Sequence, residues 1–220
     1  DFQNNLFREK ILSSIERVYD SNNYVLGQNV TNFEKEYSSL NSVKYTIGVG
    51  SGLDALFISL KAIGIKKGDE IIVPSNTYIA TWLSISNTGA KIVPVEPRID
   101  TYNIDESLIE QKITHNTKAI MPVHLYGHPS EMDKIMRIAK KYNLFVIEDN
   151  AQAQLATFKE KFTGTFGHIN ATSFYPTKNI GAIGEAGAIC RDFCVKNGLM
   201  MRAVRDGMIM SPSLTISKDE

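Results

Sequence analysis

Residues 44–63 read KYTIGVGSGLDALFISLKAI: an apolar segment, a turn with two glycines, and a longer segment whose apolar residues recur at helical spacing. The pattern predicts a β-strand at 44–49 and an α-helix at 53–63. A strand that enters a helix through a tight glycine turn is the first half of a βαβ unit. This stretch therefore predicts an α/β fold.

The alternation of strand and helix signals continues along the chain. Thr31 to Glu34 has the spacing of a capping box and Ser130 that of an N-cap, so each is expected to begin a helix. Because strands that alternate with helices form βαβ units, the expected sheet is mainly parallel. The expected elements are helices at 6–18, from 31, and at 78–87, 106–113 and 130–142, and strands at 71–73, 91–95, 118–123, 144–147, 171–175 and 186–189.

Composition excludes several classes of function. The 24 basic and 24 acidic residues give no net charge, which argues against a nucleic-acid-binding surface. The apolar runs are too short to span a bilayer, and residues 1–10 lack the apolar core of a signal peptide. Two cysteines in 220 residues indicate a reducing compartment. We therefore expect a soluble cytoplasmic protein that binds neither nucleic acid nor a membrane.

In a parallel sheet, ligands bind at the carboxyl ends of the strands, so the residues directly after each apolar run are the candidates for a site. We expect them to meet at one edge of the sheet. They are Gly50–Gly52, Pro74–Tyr78, His124–Tyr126, Glu148–Asp149 and Pro176–Lys178.

The glycine turn, residues 50–55, matches the pattern G-x-G-x-x-A between a strand and a helix. Amides at the start of a helix bind phosphate, so one interpretation is a dinucleotide site. That site also needs an acidic residue at the end of the second strand, and the segment 71–75, IIVPS, has none. A phosphate site remains, beside the alternative of a tight turn that simply requires glycine.

Three further side chains at this edge suit one cofactor. Asp149 could face a positively charged ring nitrogen, although an acid there could also cap a helix or, with Glu148, bind a metal. Tyr78 could stack on a planar ring or lie in the core, and Lys178 could form a covalent bond or be a solvated charge. A lysine, a phosphate site, a ring-nitrogen acid and a stacking aromatic together meet the needs of pyridoxal phosphate.

Other reaction types find less support. His124 and His128 are separated by glycine and followed by proline, which excludes a metal-binding helix face. Cys190 and Cys194 have no partner ligands nearby in the sequence, and no G-x-S-x-G motif indicates a serine hydrolase. We expect no metal site.

The chain resembles the sugar aminotransferases of the DegT/DnrJ/EryC1/StrS group, whose fold is that of aspartate aminotransferase, fold type I of the pyridoxal-phosphate enzymes. The resemblance covers most of residues 6–190. The matching segments are VGSGLDAL (49–56), GDEIIVPSNTYIAT (68–81), TYNID (101–105), TKAIMPVHLYG (117–127), VIEDNAQA (146–153) and SFYPTKNIGAIGEAGAI (173–189).

The resemblance, carried over position by position, implies roles for individual residues. Lys178 is the catalytic lysine that forms the Schiff base, and Asp149 is the partner of the pyridine nitrogen. The other implied cofactor contacts are Gln152 near the ring hydroxyl, Tyr78 stacked on the ring, and Ser173, Gly52 and Leu53 at the phosphate.

The implied activity is transfer of an amino group from an amino acid, expected to be glutamate, to a nucleotide-linked keto-deoxy sugar. The cofactor alternates between pyridoxal and pyridoxamine phosphate, and the enzyme works as a homodimer. The segments around 74–81, 95–97, 101–105 and 122–127 most resemble members that aminate carbon 3. His124 and Tyr126 follow a strand at the ligand edge, where they could bind the sugar; the alternative for His124 is a structural histidine.

The expected domain organisation follows from where the resemblance ends. Residues 1–190 are expected to form the cofactor-binding large domain. Residues 191–220 match nothing in the family, and we expect its small C-terminal domain to be absent. This tail motivates an alternative function, a catalytically inactive remnant that binds cofactor weakly and serves as an interaction module. A further alternative, a dinucleotide-dependent oxidoreductase, is supported by the glycine turn alone.

Overall fold

The structure, a computed structural model, describes residues 6–190. Residues 191–220, for which the sequence predicted a tail, lie outside this part. The helices are α1 (Arg8–Ser21), α2 (Gln28–Leu40), α3 (Gly52–Ala62), α4 (Ile79–Ser86) and α5 (Met132–Tyr142). The strands are β1 (Thr46–Val49), β2 (Glu70–Pro74), β3 (Lys91–Val95), β4 (Thr117–Ile120), β5 (Phe145–Asp149), β6 (Thr157–Phe158), β7 (Lys161–Phe162), β8 (Ile169–Ser173) and β9 (Gly187–Cys190).

Seven strands form the central sheet in the order β1-β9-β8-β5-β4-β2-β3. The pairs β2–β3, β2–β4, β4–β5 and β5–β8 are parallel. Strand β9 is antiparallel to both of its neighbours, β1 and β8, which are therefore parallel to each other. The predicted mainly parallel α/β fold is confirmed, with β9 as the reversed strand of this sheet.

The sheet is covered on both faces. Helices α3 and α4 pack on one face over a cluster that includes Leu56, Leu60 and Ile85, and α5 covers the other face with Met132 and Ile135. All five residues of β2 and of β8 are buried. Burial on both faces is what the nearly continuous apolar strand runs predict for a parallel sheet.

Two predicted helix starts differ from the structure. Helix α2 begins one turn before Thr31, with Gly27 as its N-cap, and its first turn is supported by a hydrogen bond from the Gln28 side chain to Asn32. Ser130 does not cap α5, whose N-cap is Glu131. The Ser130 hydroxyl instead donates to the Val123 carbonyl, which ties α5 to the end of the β4 segment.

The predicted helix at 106–113 is also wrong. The segment forms two short 3₁₀ turns, Glu106–Leu108 and Glu110–Lys112. The Asp105 carboxylate accepts from the Ser107 amide and begins the first turn. Eight residues are too few for a helix to be stable alone, so tertiary contacts decide the conformation. Within residues 6–190, no helix has both the length and the apolar character needed to cross a membrane.

Candidate active site

The carboxyl ends of β1, β2, β5 and β8 lie along the same edge of the sheet because these strands are parallel. Strand β9 runs the other way, so its first residue, Gly187, pairs with Val49 at the end of β1 and with Ser173 at the end of β8. The reversed strand thereby joins the glycine turn to the segment that leads to Lys178. The predicted candidates after β1, β5 and β8 come together at this edge.

Gly52 in the glycine turn and Gly187 beside it are packed too closely against their neighbours for a larger residue at either position. A Cβ atom at Gly52 would lie 2.8 Å from the Cβ of Ser173, and one at Gly187 would lie 2.8 Å from the Gly52 amide nitrogen. The Ser51 hydroxyl accepts from the Asp54 amide and its carbonyl from the Ala55 amide. The amides of Gly52 and Leu53, in the first turn, have no acceptor within the helix, which leaves them available to an anion.

Asp149 ends β5 and is almost fully buried, at 4% exposure. Its Oδ2 accepts from the Thr81 hydroxyl at 2.8 Å and its Oδ1 from the Ala151 amide at 3.1 Å. Burial raises the pKa of Asp149, against the opposing effects of these two hydrogen bonds and of the charge of Lys178. Within residues 6–190, no basic side chain forms an ion pair with this carboxylate, which suits a cationic ligand.

Glu148, one residue earlier, is completely buried on the opposite side of the strand. Its carboxylate accepts from His124 Nε2 at 3.0 Å, from the Gly164 and Phe166 amides at 2.7 Å, and from the Gly167 amide. Burial raises the pKa of Glu148, but these donors outweigh it and the net shift is downward. The two adjacent acids therefore have different environments, and they do not form a common metal site.

His124 lies in the interior with no exposed surface. Its Nδ1 accepts from the Ser130 amide at 3.1 Å, so its Nε2 carries the proton that it donates to Glu148. Both ring nitrogens are thus bonded to protein, and the ring does not reach the ligand edge. This geometry corrects the predicted substrate contact and agrees with the alternative interpretation, a structural histidine. No group of three or more metal-ligating side chains occurs in the part of the chain that the structure describes.

Tyr126 and Tyr78 are exposed at the ligand edge, at 80% and 68%. Tyr126 adopts a left-handed backbone conformation with φ of 55°. Its amide donates to Gln152 Oε1 at 2.7 Å, which links the predicted ring-hydroxyl contact to the predicted sugar contact. Tyr78 is the N-cap residue of α4. Its exposure excludes the core interpretation and leaves its ring accessible.

Lys178 lies in the loop between β8 and β9 and is half-buried. Phe174 anchors the start of this loop: its amide donates to Ala186 and its carbonyl accepts from Ala182. Its ring packs edge-on against Phe33 and Tyr37 of α2, with centroids 5.2 and 5.4 Å away. The loop therefore returns on itself directly after Ser173.

The loop has a second support in Gln154, which is buried. Its side-chain amide donates to the Ser173 carbonyl, and its main-chain carbonyl accepts from Asn179 Nδ2 at 3.0 Å. The Lys178 amide donates to the Tyr175 carbonyl at 2.8 Å. These contacts fix the loop that carries Lys178 beside the end of β8.

Thr81, Phe174, Gln154 and Gly187 were not among the site residues predicted from the sequence. The spacing of Thr77 and Thr81, four apart at a helix start, is the one signal that could have indicated the first of them. The others hold the site through contacts between distant segments, which residue spacing does not report.

Comparison with known proteins shows the family to which this chain belongs. The model of the DegT/DnrJ/EryC1/StrS aminotransferase family matches residues 5–193. A dTDP-3-amino-3,6-dideoxy-alpha-D-galactopyranose transaminase from Aneurinibacillus thermoaerophilus is 53% identical over 183 residues, which are 83% of this chain and 50% of that protein. A dTDP-3-amino-3,4,6-trideoxy-alpha-D-glucose transaminase from Streptomyces venezuelae is 46% identical over 80% of this chain and 47% of its own length.

Solved structures show the same fold. The S. venezuelae DesV structure in complex with a ketimine intermediate has a TM-score of 0.87 and 39% identity, covering 96% of this chain and 58% of that one. The NtdA structure from Bacillus subtilis with bound cofactor PMP has a TM-score of 0.81 and 37% identity, covering 86% and 43%. The chain spans about half the length of the curated relatives that it matches. It belongs to the DegT/DnrJ/EryC1/StrS aminotransferase family.

Proposed function

We propose that this chain is the cofactor-binding part of a pyridoxal-phosphate-dependent sugar aminotransferase. Family membership and the PMP-bound relative support the cofactor. Lys178 is the residue that bonds to the cofactor aldehyde, and Asp149 faces the ring nitrogen. The other proposed contacts are Tyr78 stacked on the ring, Gln152 at the ring hydroxyl, and Ser173 with the amides of Gly52 and Leu53 at the phosphate.

One observation carries the proposal: the buried Asp149 carboxylate lies at the same sheet edge as the Gly52 turn, which packs directly against Ser173. A buried carboxylate without a cationic partner among the described residues fits a protonated pyridine nitrogen. The helix amides beside a serine fit a phosphate dianion. These two anchors and the lysine amine match the three groups by which the cofactor is held, so the residues fit the cofactor.

The residues of this chain have separable tasks in the reaction. Bound pyridoxal phosphate supplies an electron sink for the negative charge that develops beside the transferred nitrogen. Asp149 holds a proton on the ring nitrogen, and its buried position keeps water from weakening that interaction. With the cofactor bound, the amine of Lys178 would serve as general base and then as general acid, moving a proton between two carbons.

The proposed substrate is a nucleotide-linked keto-deoxy sugar that receives nitrogen at carbon 3, with glutamate as the donor. The names of the two curated relatives support this assignment, since both are 3-amino-sugar transaminases. Tyr126 remains the proposed sugar contact because its side chain is exposed at the ligand edge. We further propose a homodimer acting in the cytoplasm, the compartment that the low cysteine count favours.

The first test is covalent labelling of Lys178. Incubation with pyridoxal phosphate, reduction with borohydride and peptide mass mapping are expected to place the label on Lys178 alone. Lys159→Ala is the matched control, since Lys159 lies on the exposed β6–β7 turn and should not affect labelling. A label on another lysine, or none at saturating cofactor, overturns the assignment.

The second test addresses the position of amination. Matched 3-keto and 4-keto nucleotide sugars are offered with glutamate, using a chain extended to the length of its relatives if this one is inactive. Preferential amination of the 3-keto sugar is expected. Preference for the 4-keto sugar overturns the position but not the reaction, and cofactor binding without turnover by the extended chain favours the inactive interaction module.

A further inference from the structure

A chain of two hydroxyl groups leads to the buried carboxylate of Asp149. Thr81 is 1% exposed, and its Oγ1 lies 2.8 Å from Asp149 Oδ2. Thr77 Oγ1 lies 2.7 Å from Thr81 Oγ1. Since the Thr81 hydroxyl has a single hydrogen and gives it to the carboxylate, Thr77 must be the donor to Thr81. The hydrogen bonds therefore all point toward Asp149.

The direction of these bonds favours the charged form of Asp149. An ionised carboxylate accepts hydrogen bonds only, and both of its oxygens are matched to donors, Thr81 Oγ1 and the Ala151 amide. The carboxylate plane is thus fixed by one contact from α4 and one from the chain after β5. Hydrogen bonds to a charged group are stronger than those between neutral groups.

We propose that Thr81 is a positioning residue that keeps Asp149 ionised and oriented toward the cofactor ring nitrogen. The proposal rests on the proposed function for its ligand, but the contact between Thr81 and Asp149 is a property of the chain itself. Thr81 does not touch the reacting atoms; it acts through Asp149.

The other groups around Asp149 lower its pKa less than the Thr81 hydroxyl does. Burial raises the pKa of Asp149, and the Thr81 hydrogen bond is the largest opposing influence, ahead of the Ala151 amide and the charge of Lys178. His124 is bonded to Glu148 and Ser130 and points away. Lys178 is lost as a free cation when it bonds to the cofactor. Among the described residues, Thr81 is the side chain that donates to Asp149 both before and after Lys178 bonds to the cofactor.

The test compares Thr81→Val, which keeps the shape and removes the hydroxyl, with Thr81→Ser, which restores a donor. Pyridoxal-phosphate affinity is measured across pH by absorbance. In Thr81→Val the dissociation constant is expected to rise roughly tenfold on the acid side, the effect of one hydrogen bond to a charged group, and to approach wild type at alkaline pH. Thr81→Ser should recover most of the loss. An equal loss at every pH overturns the proposal, because that is the result of a purely structural role.

A second measurement uses the protein without cofactor. The free energy of unfolding in urea is compared between wild type and Thr81→Val across pH. Because the folded-state pKa of Asp149 is already raised, its charge costs stability as pH rises, and removing the donor should make this cost larger at neutral than at acid pH. In an Asp149→Asn background, Thr81→Val should have the same effect at every pH. A pH-dependent effect in that background also overturns the proposal.

The two measurements separate this inference from the proposed function. If wild type does not bind pyridoxal phosphate, the proposed function fails, and the ring-nitrogen role of Thr81 fails with it. The urea experiment would still decide whether Thr81 sets the ionisation of Asp149. Thr77→Val, which removes the hydroxyl one step farther away, is the control and should shift the affinity curve less than Thr81→Val.

Discussion

At the scale of single residues, two adjacent carboxylates end β5 and have opposite pKa shifts. Successive residues of a strand point to opposite faces, so Glu148 and Asp149 meet different surroundings. Glu148 has four donors and a lowered pKa; Asp149 has two donors and a raised pKa. Glu148 is therefore a structural anchor that holds the loop around Gly164 and Gly167, whereas Asp149 has no ion-pair partner among residues 6–190 and is available to a cationic ligand.

Removing the charge of Asp149 should raise the stability of the cofactor-free protein and lower its activity. Its folded-state pKa is raised, so its cost to stability is absent below the unfolded-state pKa and grows as pH rises through the folded-state value. Asp149→Asn should therefore stabilise the cofactor-free protein at neutral pH, with a gain that vanishes in acid, measured by urea unfolding. Turnover should fall by about a hundredfold or more, as for other groups that hold a proton at a reacting centre.

The control for this variant is Asp100→Asn, since Asp100 is exposed and pairs only with Arg98. It should leave turnover unchanged. Asp149→Asn with normal turnover, or with reduced stability of the cofactor-free protein at neutral pH, would contradict the proposed role of this carboxylate.

Sequence reasoning located Lys178 and Asp149 at the ligand edge because each follows an apolar strand run. It did not reveal what surrounds them. Thr81 and Asp149 are 68 positions apart and His124 and Glu148 are 24 apart, and a hydrogen bond across such a separation leaves no trace in residue spacing. For the same reason, the buried state of His124 became clear only in the folded chain.

At the scale of elements, the start of α3 rests directly on the end of β8. Gly52→Ala offers a sharp test, because helix propensity alone predicts stabilisation and the contact with Ser173 predicts the reverse. We expect the contact to dominate, with a loss of about 1–3 kcal/mol in the free energy of unfolding, as for other overpacked sites. Affinity for pyridoxal phosphate should fall more than stability, since the shifted turn also carries the Gly52 and Leu53 amides.

Gly184→Ala is the matched control, because no atom lies within 4 Å of a Cβ at Gly184 and its φ is not positive. It should change neither quantity. If Gly52→Ala is as stable as wild type and binds the cofactor normally, the close packing of the turn has no functional importance.

The periodicity of apolar residues predicted where the elements lie more accurately than it predicted whether each is a helix or which way a strand runs. The seven strands of the central sheet and α3 to α5 were placed within a few residues because their apolar patterns are strong, whereas the short strands β6 and β7 were not predicted. The segment 106–113 was misassigned because an eight-residue helical pattern competes poorly with contacts such as those of Glu106 with Arg98 and Lys134. The reversal of β9 could not be predicted, since alternation of apolar residues does not encode strand direction.

At the scale of the whole molecule, apolar side chains remain exposed beside the ligand edge. Ile79 and Leu83, one turn apart on α4, are 55% and 42% exposed, next to Tyr78. If the protein is a homodimer, this surface is the expected contact. Sedimentation should then show a dimer, and Leu83→Lys should shift it toward monomer and reduce activity. Ile99→Lys, at a position 87% exposed in the loop after β3 and outside α4, is the control. A fully active monomer would contradict the expectation.

The reversed strand has a consequence for how the protein is made. Within residues 6–190, strand β1 pairs only with β9 in the sheet, and Thr46 and Cys190 are 144 positions apart. At typical rates of synthesis, β1 waits on the order of ten seconds for its partner to leave the ribosome. During that time the edge of β1 is open to wrong pairing or to chaperones. A nascent chain that stops between β8 and β9 would hold Lys178, but β9 would not yet join β1 to β8, so we expect the cofactor to assist folding only after β9 has been inserted.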